Sequence, residues 1–207
     1  MAAQVTRVHR EVFLYRRVDA AWQRERADAK GLSVSAPIPD EPALDLTCGQ
    51  VPDPAKRVET GGGGHCLFKS LSWYLTGTNT HHVAMRSLII NFARANSDIF
   101  VRAFKDKREF DHWLEIKSSL RPRPGDLKSH WGDHHCLRAA SALLKTPICC
   151  FAPVRTLKPF WVSIDGIAHL HSGLRYPQGF TYPRSGLKVI LDNRGEHFVP
   201  TGLSRLA

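Results

Sequence analysis

The pattern of apolar residues predicts an α/β (α+β) chain with a small central β-sheet flanked by helices. Three observations carry that prediction. Apolar residues recur at helical spacing from Leu67 to Leu114, and a further helical pattern then runs into the short strand-like segments "ICCF", "FWVSI" and "LKVIL". With 43% hydrophobic residues in 207, the chain can bury a real core. Helices followed by a helix leading into several strands read as α+β or as a three-layer α/β/α arrangement.

Residues 5–28 carry Val8, Val12, Leu14, Val18 and Trp22 among Arg and Glu, which predicts a charged helix with an incomplete apolar stripe. We read residues 1–30 as a basic helical arm. From Gly31 the composition shifts to Pro, Ala, Asp and Ser, so residues 31–55 read as a Pro-rich linker and the compact domain as residues 56–201. Residues 202–207 are then a tail.

Leu67, Leu71 and Leu75 predict a helix closed by Gly77. Met85, Leu88, Ile89 and Phe92 repeat at i, i+3, i+4, i+7, with Thr80 as N-cap and Asn96 as stop. Ser97 caps a short helix, and Phe110, Trp113 and Leu114 add another turn or two. The stretch from Ser118 to His130, containing "RPRPGD", is loop. "WGDHHCLRAASALLKTP" gives a tight turn and a helix with Leu137, Ala140, Leu143 and Leu144 on one face. "DNRG" turns the chain into "EHFVP", the last strand.

The net charge of +10 invites a nucleic-acid reading. The basic residues are scattered, however, and do not alternate with aromatics as a stacking platform requires, so nucleic acid is not expected as a partner. The 5 cysteines are odd in number and irregularly spaced, which predicts reduced thiols and an intracellular, cytoplasmic protein. No apolar run is long enough for a membrane span, and a monomer is expected.

The chemistry concentrates in "ETGGGGHCLFKSLSWYL", residues 59–75. A thiol attacks as its thiolate, and a helix N-terminus favours that ion through unpaired N–H groups and the macrodipole. Cys66 stands at that point. A loop of Gly61 to Gly64 can turn its N–H groups inward, as an oxyanion hole requires. A nucleophilic cysteine also needs a base, and His197 lies at a strand start between a turn and apolar Phe198 and Val199. On residues alone, a flexible linker beside a core histidine remains the alternative. His130, His134, His135 and Cys136 invite zinc, but no second Cys/His pair at finger spacing supports them, so no metal is expected.

Three segments in order resemble the ovarian-tumour (OTU) family of cysteine proteases. "GGGGHCLFKSLS" resembles their Gly-Asp-Gly-Asn-Cys-Leu-Phe-Arg-Ala-Leu-Ser segment. "HWGDHHCLRAASALLKTPICCF" resembles their Trp-Gly segment, where a helix leads into a buried strand, and "LKVILDNRGEHFVP" their final strand pair with the histidine. The match covers about residues 56 to 201. The resemblance implies a papain-type fold, Cys66 as nucleophile and His197 as base. It implies an oxyanion site of backbone N–H groups near Gly63, Gly64 and Cys66, with no cofactor.

The implied reaction cuts the isopeptide or peptide bond after the Gly-Gly tail of ubiquitin or a ubiquitin-like modifier. The sequence departs from the family at its polar supports. Gly63 replaces Asp, His65 replaces Asn before the cysteine, Cys136 replaces Glu after Trp-Gly, and Val199 stands where many members orient the histidine with Asp or Asn. Asp192 or Asn193 could take that last role from the preceding turn. The missing polar supports give one alternative, a catalytically weakened OTU-fold module that binds ubiquitin without cutting it. Related domains in viral polyproteins and mobile-element proteins give a second, a polyprotein-processing protease acting on its own precursor.

Overall fold

The computed structural model describes residues 14–41, 44–45, 50–61, 63–121, 128–152, 160–164, 185–193, 197–201 and 203–205. Val8, Val12, Cys48, Gly62, most of "RPRPGD" and the turn 194–196 lie outside the described residues. No helix among the described residues is long and apolar enough to cross a membrane.

The central helix is α2 (Cys66–Thr76). Its stripe of Leu67, Phe68, Leu71 and Leu75 is buried, and Gly77 closes it in the left-handed conformation at φ 75°. Against it packs α3 (His82–Ala95), which buries Met85 and Ile89, and the short α4 (Ser97–Phe100) lies against α3 in turn, Phe100 meeting Phe92. Asn96 terminates α3 as expected, but the N-cap is His81 rather than Thr80. Helix α5 (Lys107–Ser118) is longer than the sequence suggests because Asp106 caps it, accepting from the Glu109 N–H. Asp133 caps α6 (His134–Leu144) in the same way, through the Cys136 N–H.

Helix α6 delivers the chain into β4 (Ile148–Ala152), which pairs antiparallel with β5 (Phe160–Ile164) and parallel with β6 (Ser185–Asn193). The antiparallel strand β7 (Phe198–Pro200) joins β6 in the register Leu191–Pro200, Asp192–Val199 and Asn193–Phe198. Both β4 and β7 pair with Leu191 and Asp192, so they occupy opposite edges of β6. Helices pack on this small sheet as the pattern predicts. Phe198 joins the apolar core with α2, α3 and α6.

The N-terminal reading needs correction. Leu14–Arg17 is a strand, β1, paired parallel with β6 and antiparallel with β2 (Leu44–Asp45), and the helix α1 spans only Ala20–Asp28. Nor does packing begin at Lys56. Val18, Trp22 and Ile38 lie in the main core, and the Trp22 Nε1 donates to Thr146 Oγ1 at 2.7 Å. Buried Arg17 pairs with Glu41 at 3.1 Å and donates to the carbonyl of Pro39 at 3.0 Å. The Pro-rich stretch is held as well: the N–H groups of Ser35 and Ala36 donate to the Thr76 carbonyl, and Gln23 accepts from the Ile38 N–H. Its proline content describes extended backbone, not a loose tether. The tail likewise contains a strand, β8 (Leu203–Arg205), paired antiparallel with β3 (Gln50–Pro52).

Candidate active site

Cys66 is the first residue of α2, at the positive end of the helix macrodipole. Its side chain is 4% exposed. The residue before it, His65, is the N-cap but makes no capping bond with its ring. Gly63 and Gly64 have φ of 93° and 75°, a backbone that side-chain-bearing residues rarely adopt. At Gly64 there is a second constraint: an added Cβ would lie 2.2 Å from the Trp131 indole. The Trp of the Trp-Gly pair therefore closes onto the glycine loop, a closer involvement than simple packing in the core.

The second chemical element arrives on β7. The carbonyl of Phe198 accepts from Ser70 Oγ at 3.0 Å and from Thr60 Oγ1 at 3.1 Å, and the Pro200 carbonyl accepts from the Val58 N–H at 3.0 Å. Ser70 sits one turn along α2 from Cys66, whose carbonyl lies 2.8 Å from the same hydroxyl. Thus the strand that follows half-buried His197 is fastened on one side to the helix that Cys66 opens. On the other it is fastened to the segment feeding the glycine loop.

The register bears on the orienting group. Register partners stand on one face of a pleated pair, and alternate residues share a face. In the ladder Asp192 is the register partner of Val199, and Asn193 that of Phe198. Val199 is 3% exposed and offers His197 no polar group.

Two buried cations shape the surroundings, and sequence reasoning missed both. Arg86 of α3 donates to the carbonyls of Lys117 and His130 at 3.2 and 3.1 Å. Its guanidinium carbon lies 4.1 Å from the centroid of the Phe68 ring. Burial is the main cause that pulls its pKa down to about 10. Lys117 donates to the carbonyls of Ser129 and Trp131 and pairs with Asp133 at 3.1 Å. Burial alone would raise the Asp133 carboxyl, but Lys117 and the hydrogen bonds from Cys136 N–H and Trp113 Nε1 hold it below its ordinary value. The signal for Lys117 was present, since it takes the i+7 place on the stripe of Phe110, Trp113 and Leu114.

Five of the described histidines fall into two groups. His65 meets the rings of His82 and His130 at centroid distances of 5.2 and 5.3 Å. Burial, then Arg86, then His130, His82 and Lys69 lower its pKa to about 4, so it is neutral near pH 7. His135 stacks on Phe104 at 4.2 Å, beside His134. Cys136 is fully buried, and burial followed by the Asp133 charge pushes its thiol far up. Among the described residues no three His, Cys, Asp or Glu side chains converge as a metal set. Cys66, Cys136, Cys149 and Cys150 form no disulfide.

No protein-family model and no curated protein matches the chain. Solved structures do. The viral OTU domain protease from Farallon virus superposes with a TM-score of 0.51 at 14% identity, over 81% of this chain and 96% of that one. The OTU domain of OTUD1 does so with a TM-score of 0.50 at 14% identity, over 70% of this chain and 84% of that one. The chain has the OTU fold.

Proposed function

We propose that this OTU-fold chain is a cysteine-type hydrolase that cleaves the peptide or isopeptide bond after the Gly-Gly tail of ubiquitin or a ubiquitin-like modifier, acting inside the cell. Cys66 attacks the carbonyl carbon and forms a thioester, while His197 takes the thiol proton and passes it to the leaving amine. Backbone N–H groups around Gly63, Gly64 and Cys66 hold the oxyanion, and water, deprotonated by His197, then releases the acyl group. Asp192 or Asn193 orients the His197 ring; both pair with residues of the strand that follows His197.

The observation that supports this reading is the fastening of β7 to α2 through Ser70, which ties the strand that follows His197 to the helix that begins at Cys66. A test is hydrolysis of a ubiquitin C-terminal amide by wild type, Cys66→Ala and His197→Ala. Each variant should fall by about three orders of magnitude or more, since members of such a unit act together. Persistent turnover in Cys66→Ala contradicts the proposal.

Buried, apolar Val199 favours a second reading, a catalytically weakened ubiquitin-binding module. Saturable ubiquitin binding by wild type, with no turnover in the same preparation, would favour that module.

A further inference from the structure

Arg86 is 1% exposed, yet it lies on the helix that packs against the Cys66 helix and not in the glycine loop itself. One side of its guanidinium is satisfied by the His130 and Lys117 carbonyls. The other terminal nitrogen reaches towards the thiol site. It donates to His65 Nδ1 at 3.2 Å and, at the longer distance of 3.5 Å, to the carbonyl of Gly64. Arginine has only donors, so Nδ1 of His65 must accept and the ring proton is on Nε2. A trans peptide points its C=O and N–H in opposite directions within one plane. With the Gly64 carbonyl turned to Arg86, the His65 N–H is directed away from the guanidinium. From above, the Trp131 indole closes on Gly64, and Trp131 follows the His130 carbonyl that Arg86 also holds.

We propose that Arg86 is a positioning residue for the thiol site: it fixes the Gly64–His65 peptide and the His65 ring, and through them the amides that lead into Cys66. The inference rests on the reading of Cys66 as nucleophile. It answers the loss of polar support at Gly63 and His65. Where the resemblance expects Asp and Asn within the loop, a cation reaches it from across the core. Being planar and multidentate, the guanidinium can hold four acceptors at once, which an ammonium cannot.

The test uses the full chain with Arg86→Lys and His65→Ala. In wild type, imidazole ¹⁵N shifts should show His65 as the Nε2–H tautomer, and Arg86→Lys should lose that preference. Amide exchange at His65 and Cys66 should quicken in Arg86→Lys. On a ubiquitin C-terminal amide, kcat should fall by about tenfold or more with KM within about twofold, the pattern of a lost transition-state interaction. His65→Ala leaves Arg86 in place and removes a partly exposed ring, so it carries the kinetic test if Arg86→Lys does not fold. An Nδ1–H tautomer in wild type overturns the proposal, as does a folded Arg86→Lys with unchanged exchange and kcat. If wild type turns over no ubiquitin substrate, the functional reading fails by itself, and tautomer and exchange still decide the role of Arg86.

Discussion

The hydroxyl of Ser70 lies 3.0 Å from the carbonyl oxygen of Phe198, joining the helix that starts at Cys66 to the strand that follows His197. Both groups are buried, so the bond is shielded from water. Replacing Ser70 by Ala leaves Thr60 as the remaining donor to that carbonyl. We expect a loss of about 1 kcal/mol in urea unfolding, the net worth of one buried hydrogen bond. On the proposed mechanism hydrolysis should fall by more than that destabilisation explains, because Cys66 and His197 lose a shared reference point. A Ser70→Ala protein with full turnover would show that the tie is dispensable.

Val199 is the position for repairing the support of His197. Its register partner is Asp192, and like charges directly opposite one another in a ladder are destabilising. Val199→Asn should therefore raise turnover more than Val199→Asp, and the acidic variant should be the less stable of the two by thermal unfolding. The reverse order would mean that Asp192 is not the neighbour the register makes it.

Among the described residues before Gln50, Val18, Trp22 and Ile38 belong to the folded core. Trp22 is buried there and donates to Thr146 Oγ1. We expect Trp22→Ala to cost about 3–5 kcal/mol, as truncation of a buried aromatic does. Removing residues 1–49 should abolish cooperative unfolding. A truncated chain with the wild-type unfolding midpoint would restore the arm-and-linker reading.

Acid should destabilise the fold before carboxylates titrate. His65 is held to about 4 by burial, Arg86 and its other cationic neighbours. His135 is held to about 4 by burial and then His134, against the opposing pull of Asp133 and with smaller contributions from Arg138 and Lys117. Both folded values lie below the 6.5 of an unperturbed histidine, so between those limits the unfolded chain binds more protons. Stability is full above about pH 6.5 and declines as pH falls towards 4. Melting temperatures from pH 7.5 to 4.5 should drop, and His135→Phe, which keeps the stack on Phe104, should flatten the drop. A melting temperature that rises on acidification would contradict the sign.

Much of this fold was legible because helices announce themselves locally. The stripes of α2, α3 and α6, the glycine that ends α2 and the apolar runs of β4 and β6 need only neighbours in sequence. Strand β1 does not: "LYRR" has no apolar alternation, and its partner β6 lies at the other end of the chain. Arg17 is buried in it only because Glu41 and the Pro39 carbonyl come to meet it. Cys66 and His197 are proposed from chemistry and motif, whereas Arg86 was hidden on a second helical stripe with Ile90 and Ala93. The pairing of Asp192 with Val199 and of Asn193 with Phe198 is likewise a long-range register that local sequence does not supply.

The central claim is that Cys66 is the nucleophile for a ubiquitin-type C-terminus. Its most direct measurement is intact mass and peptide mapping after incubation with ubiquitin bearing a C-terminal electrophile. A Cys66-based mechanism predicts a single adduct of one ubiquitin mass, mapped to Cys66, absent in Cys66→Ala and strongly slowed in His197→Ala. An adduct on any other cysteine, or none in a folded wild-type protein, would contradict it.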